Sequence, residues 1–184
     1  MIFNSNVFLL FLAATWLLYW LVRGSAAHRN LLILAASFLF YGWWDWRFLG
    51  LLLMTGSIDF FVALRIDGAG DARARKRWLW VSLLSNLGTL GLFKYAGFFV
   101  DSAAAALAAA GWVVSKPTLS IVLPAGISFY TFQALAYTVD VYRGAVTVER
   151  DFVRYFAFLT FFPQLVAGPI ERASFLLGQF QKPR

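Results

Sequence analysis

Apolar residues along this chain fall in long unbroken runs separated by short polar tips, not in the alternation of a half-buried strand. The first run is Val7–Val22, preceded by the polar trio Asn4, Ser5 and Asn6. Next come Leu31–Trp44, which ends in the tip Trp43-Trp44-Asp45-Trp46-Arg47, and Phe48–Ile66, interrupted by a single carboxylate, Asp59. Trp78–Val100 follows, carrying Asn86 and Lys94, and then Leu119–Val141 with Pro124 near its start. Runs of this length without charges read as membrane-crossing helices, because about 20 helical residues bridge a hydrocarbon layer of about 30 Å. Leu31–Trp44 alone reaches only about 21 Å at 1.5 Å per residue, so Arg29 and the tryptophans must serve as interfacial anchors. The expected spans are therefore 7–22, 30–46, 48–66, 78–100 and 119–141. Phe152–Phe180 is different: Pro163, Gly168 and Pro169 break any continuous helix there. Irregular backbone at membrane depth survives only when protein or a water-filled cavity shields it, so a broken or re-entrant segment is expected over 152–180. The fold class that follows is all-α: one polytopic helical membrane domain over 1–184.

Composition strengthens this reading. Of 184 residues 61% are hydrophobic, 19% aromatic and only 14% charged, with a mean hydropathy of +0.70. A soluble globule carries about a quarter of its residues as charges, and a chain this short could not hide so many aromatic rings from water. The absence of cysteine excludes a disulfide framework and a thiolate metal site. The formal charge of +7 would suggest nucleic acid in a soluble protein. In a membrane protein it is better explained by cytoplasmic loops facing anionic lipid head groups, and no nucleic-acid partner is expected.

The basic residues also set an orientation. None precedes Arg23, so the charged leader of a cleavable signal peptide is missing, whereas Arg23 and Arg29 follow the first run. An uncleaved first span with its N-terminus outside is expected. Arg65–Arg77, with Arg65, Arg73, Arg75, Lys76 and Arg77, reads as a cytoplasmic loop. Asp101–Val114 reads as a separate surface or interfacial helix on the outside. Arg143, Arg150 and Arg154 fit a second cytoplasmic exit, diluted by Glu149 and Asp151.

Polar groups within apolar runs are candidate functional groups, because each costs free energy unless paired. For Asp59 a pairing with Arg, Lys or Asn of a neighbouring helix is favoured over contact with a substrate. Asn86 reads as a helix–helix hydrogen bonder and Lys94 as a side chain snorkelling to the interface. The stretch Leu123–Gly144 is more informative. From Tyr130, residues Gln133, Tyr137 and Asp140 follow at i+3, i+7 and i+10, inside an arc of about 80° on a helix. Such a stripe must face protein or a cavity. Two readings stay open: a seam between helices, or the wall of a polar tunnel. The single histidine, His28, stands in a short polar loop beside Arg29, so neither a zinc cluster nor a Ser-His-Asp set can be assembled, and no bound metal or cofactor is expected.

Leu123–Gly144 together with Phe161-Phe162-Pro163-Gln164-Leu165-Val166-Ala167-Gly168-Pro169-Ile170-Glu171-Arg172 resembles the membrane-bound O-acyltransferases. Within them it is most similar to the bacterial alginate O-acetyltransferase branch, as are Phe38-Leu39-Phe40-Tyr41 with Trp43-Trp44, and Phe93-Lys94-Tyr95. The resemblance covers essentially this whole chain and the N-terminal portion of the family. It implies transfer of an acetyl group from a cytoplasmic thioester such as acetyl-CoA, through a tunnel across the bacterial inner membrane, for O-acetylation of an extracellular polysaccharide such as alginate. Tyr130, Gln133, Tyr137 and Asp140, with Gln164 on the broken segment, are then the candidate tunnel residues, and Arg143 the group at the donor side. Expected partners are membrane lipids and periplasmic acetyltransferase or polysaccharide-modification proteins. The family's catalytic histidine belongs to a later membrane helix, so no catalytic residue is assigned and the chain alone is expected to be inactive. A subunit of a membrane transporter or channel is the alternative, since broken helices and polar stripes also occur there.

Overall fold

The computed structural model describes residues 5–22, 25–112, 124, 126–165, 168 and 172–181. These residues form helices joined by short turns, with no strand among them. Helix α1 spans Asn6–Leu21, α2 Ala26–Asp45, α3 Arg47–Asp67, α4 Ala72–Leu90, α5 Ala96–Ala109 and α6 Ile127–Arg143. The short helices α7 (Phe152–Leu159), α8 (Phe162–Leu165) and α9 (Ala173–Gln181) complete the chain. Positions 123, 125, 166, 167 and 169–171 of the two family-like motifs, and 119–123 of the fifth expected span, lie outside the described residues.

Local chemistry sets the helix ends. Ser5 opens α1 by accepting the Phe8 N–H at 3.2 Å, and Asp151 opens α7 by accepting the Arg154 N–H at 3.1 Å. Gly144 closes α6 in the left-handed region at φ 73°, with the Ala145 N–H returning to the Asp140 carbonyl at 2.9 Å. Residues 152–181 run as three short helices in place of one span, with Pro163 inside α8.

Two expectations about α4 need correction. The basic stretch Arg65–Arg77 is not a loop: only residues 68–71 leave the helices, and Arg73, Arg75, Lys76 and Arg77 ride on the first turns of α4. Asp71 caps that helix by accepting the Ala74 N–H, and alternating alanine and long basic residues are strong helix formers. Nor is Asp101–Ala109 a separate surface helix. A π-helical turn at Gly91–Tyr95 carries α4 into α5, giving one continuous helix from Ala72 to Ala109 of 38 residues. No proline falls between Trp78 and Ala109 to break it, and its last turns are rich in alanine. At 1.5 Å per residue the rod is about 57 Å long.

That rod and α3, of 21 residues, are long and apolar enough to cross a membrane; α1 is a shorter apolar helix. Helices α3, α4 and α6 pack as a trio, with α7 laid across α2 and α3 and α9 against α7. Phe60, Tyr137, Tyr155, Phe156 and Phe158 fill the main core between them. Gly56 of α3 allows a close approach to α7: a Cβ there would meet Leu159 at 2.7 Å and Phe156 at 2.8 Å. A smaller core of Phe8, Ala36, Phe40 and Phe162 joins α1 and α2 to α8.

Candidate functional site: the two polar rows of helix α6

Helix α6 carries two buried polar rows about 120° apart on its surface, as its 100° step per residue requires. One row is Thr131 and Thr138, and the other is Tyr130, Gln133 and Tyr137.

The threonine row faces α3 and α4. Asp59, with 0% exposure, lies between the three helices. Its Oδ1 accepts the Thr138 hydroxyl at 3.1 Å and a short hydrogen bond from the Ser82 hydroxyl, while Oδ2 accepts the Asn86 amide at 2.7 Å. Asn86 also donates to the Ser82 carbonyl at 2.9 Å, which orients the amide. Every contact is from a donor to an oxygen, the pattern a carboxylate needs because it has acceptors alone. Asp59 thus pairs with the asparagine of a neighbouring helix, and Asn86 is the helix–helix hydrogen bonder expected of it. The two hydroxyl partners, Ser82 and Thr138, were not legible as partners. Their signal is the i,i+4 spacing of Ser82 and Asn86 inside an otherwise apolar span.

The aromatic row faces α7 and α2. The Tyr130 ring meets that of Tyr41 edge-on with centroids 6.4 Å apart. Gln133 donates its amide to the Phe158 carbonyl at 3.1 Å. The Tyr137 hydroxyl accepts the Glu149 N–H at 2.9 Å, and its ring lies 5.1 Å from that of Tyr155. Tyr130 and Tyr137 are fully buried and Gln133 is nearly so. Within the described residues these three side chains form a helix–helix seam. Asp140, lower on the same stripe, is half-exposed, and Arg143 is exposed at the end of α6. Gln164 is buried on α8. The cavity of about 290 Å³ between α1, α2, α8 and α9 is lined by none of these residues. Two hydroxyls beside the seam, those of Thr131 and Tyr155, are buried without a hydrogen-bond partner.

Glu149, which the sequence offers only as a charge diluting the second basic exit, proves to be a buried hub at 4% exposure. Its Oε1 accepts the backbone N–H groups of Arg150 and Asp151, each at 2.9 Å. It also pairs with the Arg154 guanidinium at 3.1 Å, and its Oε2 accepts the Gln181 amide at 3.1 Å. The carboxylate therefore ties the α6–α7 connection to α7 and α9. Around it, Arg75 of α4 donates to the Tyr142 carbonyl at 2.7 Å, capping the negative end of α6, and Arg150 pairs with Asp67 at 2.9 Å. The start of α4 and the ends of α3, α6 and α9 thus meet on one side of the molecule. Lys94 extends over the Tyr95 ring and donates to the Ser128 hydroxyl at 3.3 Å, an exposed contact.

No nucleophile–base pair emerges from these contacts. His28 lies in the first turn of α2 and not in a loop, because the helix begins at Ala26; it is exposed, with Nδ1 3.1 Å from the Ser25 hydroxyl. Among the described residues no group of three metal-ligating side chains converges.

The long apolar helices, the lipid-ready outer faces and the buried carboxylate between helices define a helical membrane protein. Comparison with known proteins narrows the class. The chain is 44% identical over 182 residues to the probable alginate O-acetylase AlgI of Azotobacter vinelandii, covering 98% of this chain and 36% of that protein. The protein of the same name in Pseudomonas aeruginosa is 43% identical over 98% of this chain and 34% of its own length. A peptidoglycan O-acetyltransferase of Helicobacter pylori is 30% identical over 98% of this chain and 39% of its own length. The chain is thus homologous over nearly its full length to alginate O-acetylases, and it spans about a third of the length of these curated relatives. No family model and no solved structure matches it.

Proposed function

We propose that this chain is the scaffold portion of a membrane-bound O-acyltransferase that passes acetyl groups across the bacterial inner membrane to an extracellular polysaccharide, alginate being the first acceptor to test. The observation that carries the reading is the 44% identity to an alginate O-acetylase across 98% of the chain. The donor is an acyl thioester, with acetyl-CoA the simplest choice, and periplasmic polysaccharide-modification proteins receive the acetyl group. The chain crosses the membrane several times with its N-terminus outside. That orientation brings Arg75, Arg150, Arg154 and Arg143 to the cytoplasmic face, where positive residues are favoured.

In this reading helix α6 is the organising element. Gln133 and Tyr137 hold α7 against it and Tyr130 meets Tyr41 of α2, and Asp140 and Gln164 stand where that packing meets the acyl path. Arg143, exposed at the end of α6, meets the anionic donor. The base that activates an acceptor hydroxyl is not among these groups: the single histidine, His28, is exposed near the start of α2 with its Nδ1 beside the Ser25 hydroxyl. The isolated chain is accordingly inactive, and its contribution is the framework around which the acyl path closes.

A segment exchange tests this. The chain replaces the matching stretch of an alginate O-acetylase in a strain lacking that gene, and alginate O-acetylation is measured. Restored acetylation is expected, with Gln133→Ala and Asp140→Asn in the exchanged segment lowering it at unchanged protein level. A chimera that reaches the membrane in normal amount and acetylates nothing would refute the proposal.

A further inference from the structure

We infer that the groove between α1, α2, α8 and α9 is a binding site for one acyl chain of an anionic phospholipid whose headgroup meets Arg29. The cavity has about 290 Å³ of space. Trp16, Ile33, Phe162 and Leu176 line its apolar length, while Arg29 and Asn30 stand at its polar end. The outer wall is open: Trp16 is 63% exposed, and α1 presents Leu9, Leu17 and Trp20 outward. A groove opening through such a face is entered from the lipid layer.

The polar end carries a charge without an opposite number. Arg29 is half-buried, its guanidinium 5.7 Å from the Tyr19 ring centroid, and its Nε reaches the Val22 carbonyl only at 3.5 Å. No carboxylate pairs with it among the described residues. The Asn30 amide beside it is already committed to the Phe180 carbonyl at 3.0 Å. That bond pins α9 to α2 and fixes the inner wall. A positive group at the mouth and an apolar slot behind it match an anionic headgroup and its tail.

The test uses phospholipid analogues bearing a diazirine near the end of one acyl chain, with the 184-residue chain in nanodiscs of mixed phosphatidylcholine and phosphatidylglycerol. The phosphatidylglycerol probe is expected to label peptides containing Trp16, Ile33 or Phe162 about fivefold more than the phosphatidylcholine probe, the preference one basic residue near a headgroup provides. Arg29→Gln abolishes the preference and Arg29→Lys keeps it. Ala26→Phe, which fills the slot from its lining, reduces labelling by both probes at these peptides while leaving labelling of the α5 surface unchanged. Equal labelling by the two probes in the parent chain, or a preference that survives Arg29→Gln, would reduce the groove to ordinary boundary lipid and overturn the inference. None of these readouts depends on acetyl transfer.

Discussion

Replacing Asp59 separates a hydrogen-bonded helix seam from a merely tolerated buried charge. Asp59→Leu removes both oxygens and leaves the Ser82 and Thr138 hydroxyls and the Asn86 amide without their shared acceptor. Ser82 and Thr138 can each turn back to a carbonyl of their own helix, and Asn86 keeps its 2.9 Å bond to the Ser82 carbonyl. Hydrogen bonds to charged groups contribute about 1.5 to 3 kcal/mol in soluble proteins, whereas bonds between membrane helices average about 0.6. Three bonds, each partly replaced, then give a loss of about 2 to 4 kcal/mol. Asp59→Asn behaves differently. Its remaining oxygen can keep Ser82 and Thr138, while its new amide can meet the Asn86 Oδ1, which is buried without a partner. That requires Asn86 to turn over and give up the Ser82 carbonyl, so the exchange costs about 1 kcal/mol. The assay is equilibrium unfolding in mixed micelles followed by fluorescence of the eight tryptophans. For a chain of this length each kcal/mol lowers Tm by about 2 to 4 °C. Asp59→Leu as stable as the parent, or Asp59→Asn as damaging as Asp59→Leu, would refute this account of the cluster.

Three further changes probe other contacts. Gly56→Ala puts a Cβ 2.7 Å from the Leu159 side chain and 2.8 Å from the Phe156 ring, and overpacking of this kind costs about 1 to 3 kcal/mol; a Tm equal to the parent's would show that α3 and α7 are not in close contact. Gly126→Ala meets both a left-handed backbone at φ 73° and the Leu165 carbonyl at 2.8 Å. It should cost at least about 1 to 2 kcal/mol from the backbone alone, read as a lower unfolding midpoint. Glu149→Ala unties Gln181 and leaves Arg154 with only the 3.5 Å contact to Asp151; hydrogen exchange over Ala173–Gln181 should speed up while exchange in α3 stays as it was.

The helices themselves were legible because a bilayer makes a strong demand on sequence: backbone groups must be satisfied within the segment, and side chains facing lipid must be apolar. That is why the runs around Val7, Phe48 and Trp78 were readable as helices before any contact was known, and why Pro163 and Gly168 marked the break near the C-terminal end. The stripe of Tyr130, Gln133, Tyr137 and Asp140 was equally a matter of periodicity.

Partnership was not, because spacing along one helix says which residues share a face and nothing about what that face meets. Only the packed structure decided that Gln133 donates to the Phe158 carbonyl, that Asp59 is held by Ser82, Asn86 and Thr138, and that Glu149 joins α7 to α9. The extent of the rod from Ala72 to Ala109 escaped for a related reason. Hydropathy drops at both of its ends, yet a helix continues past the apolar layer wherever capping, propensity and the absence of a breaker permit. Sequence determined the solvent in which this chain folds; tertiary packing chose which of its polar groups are satisfied by which neighbours.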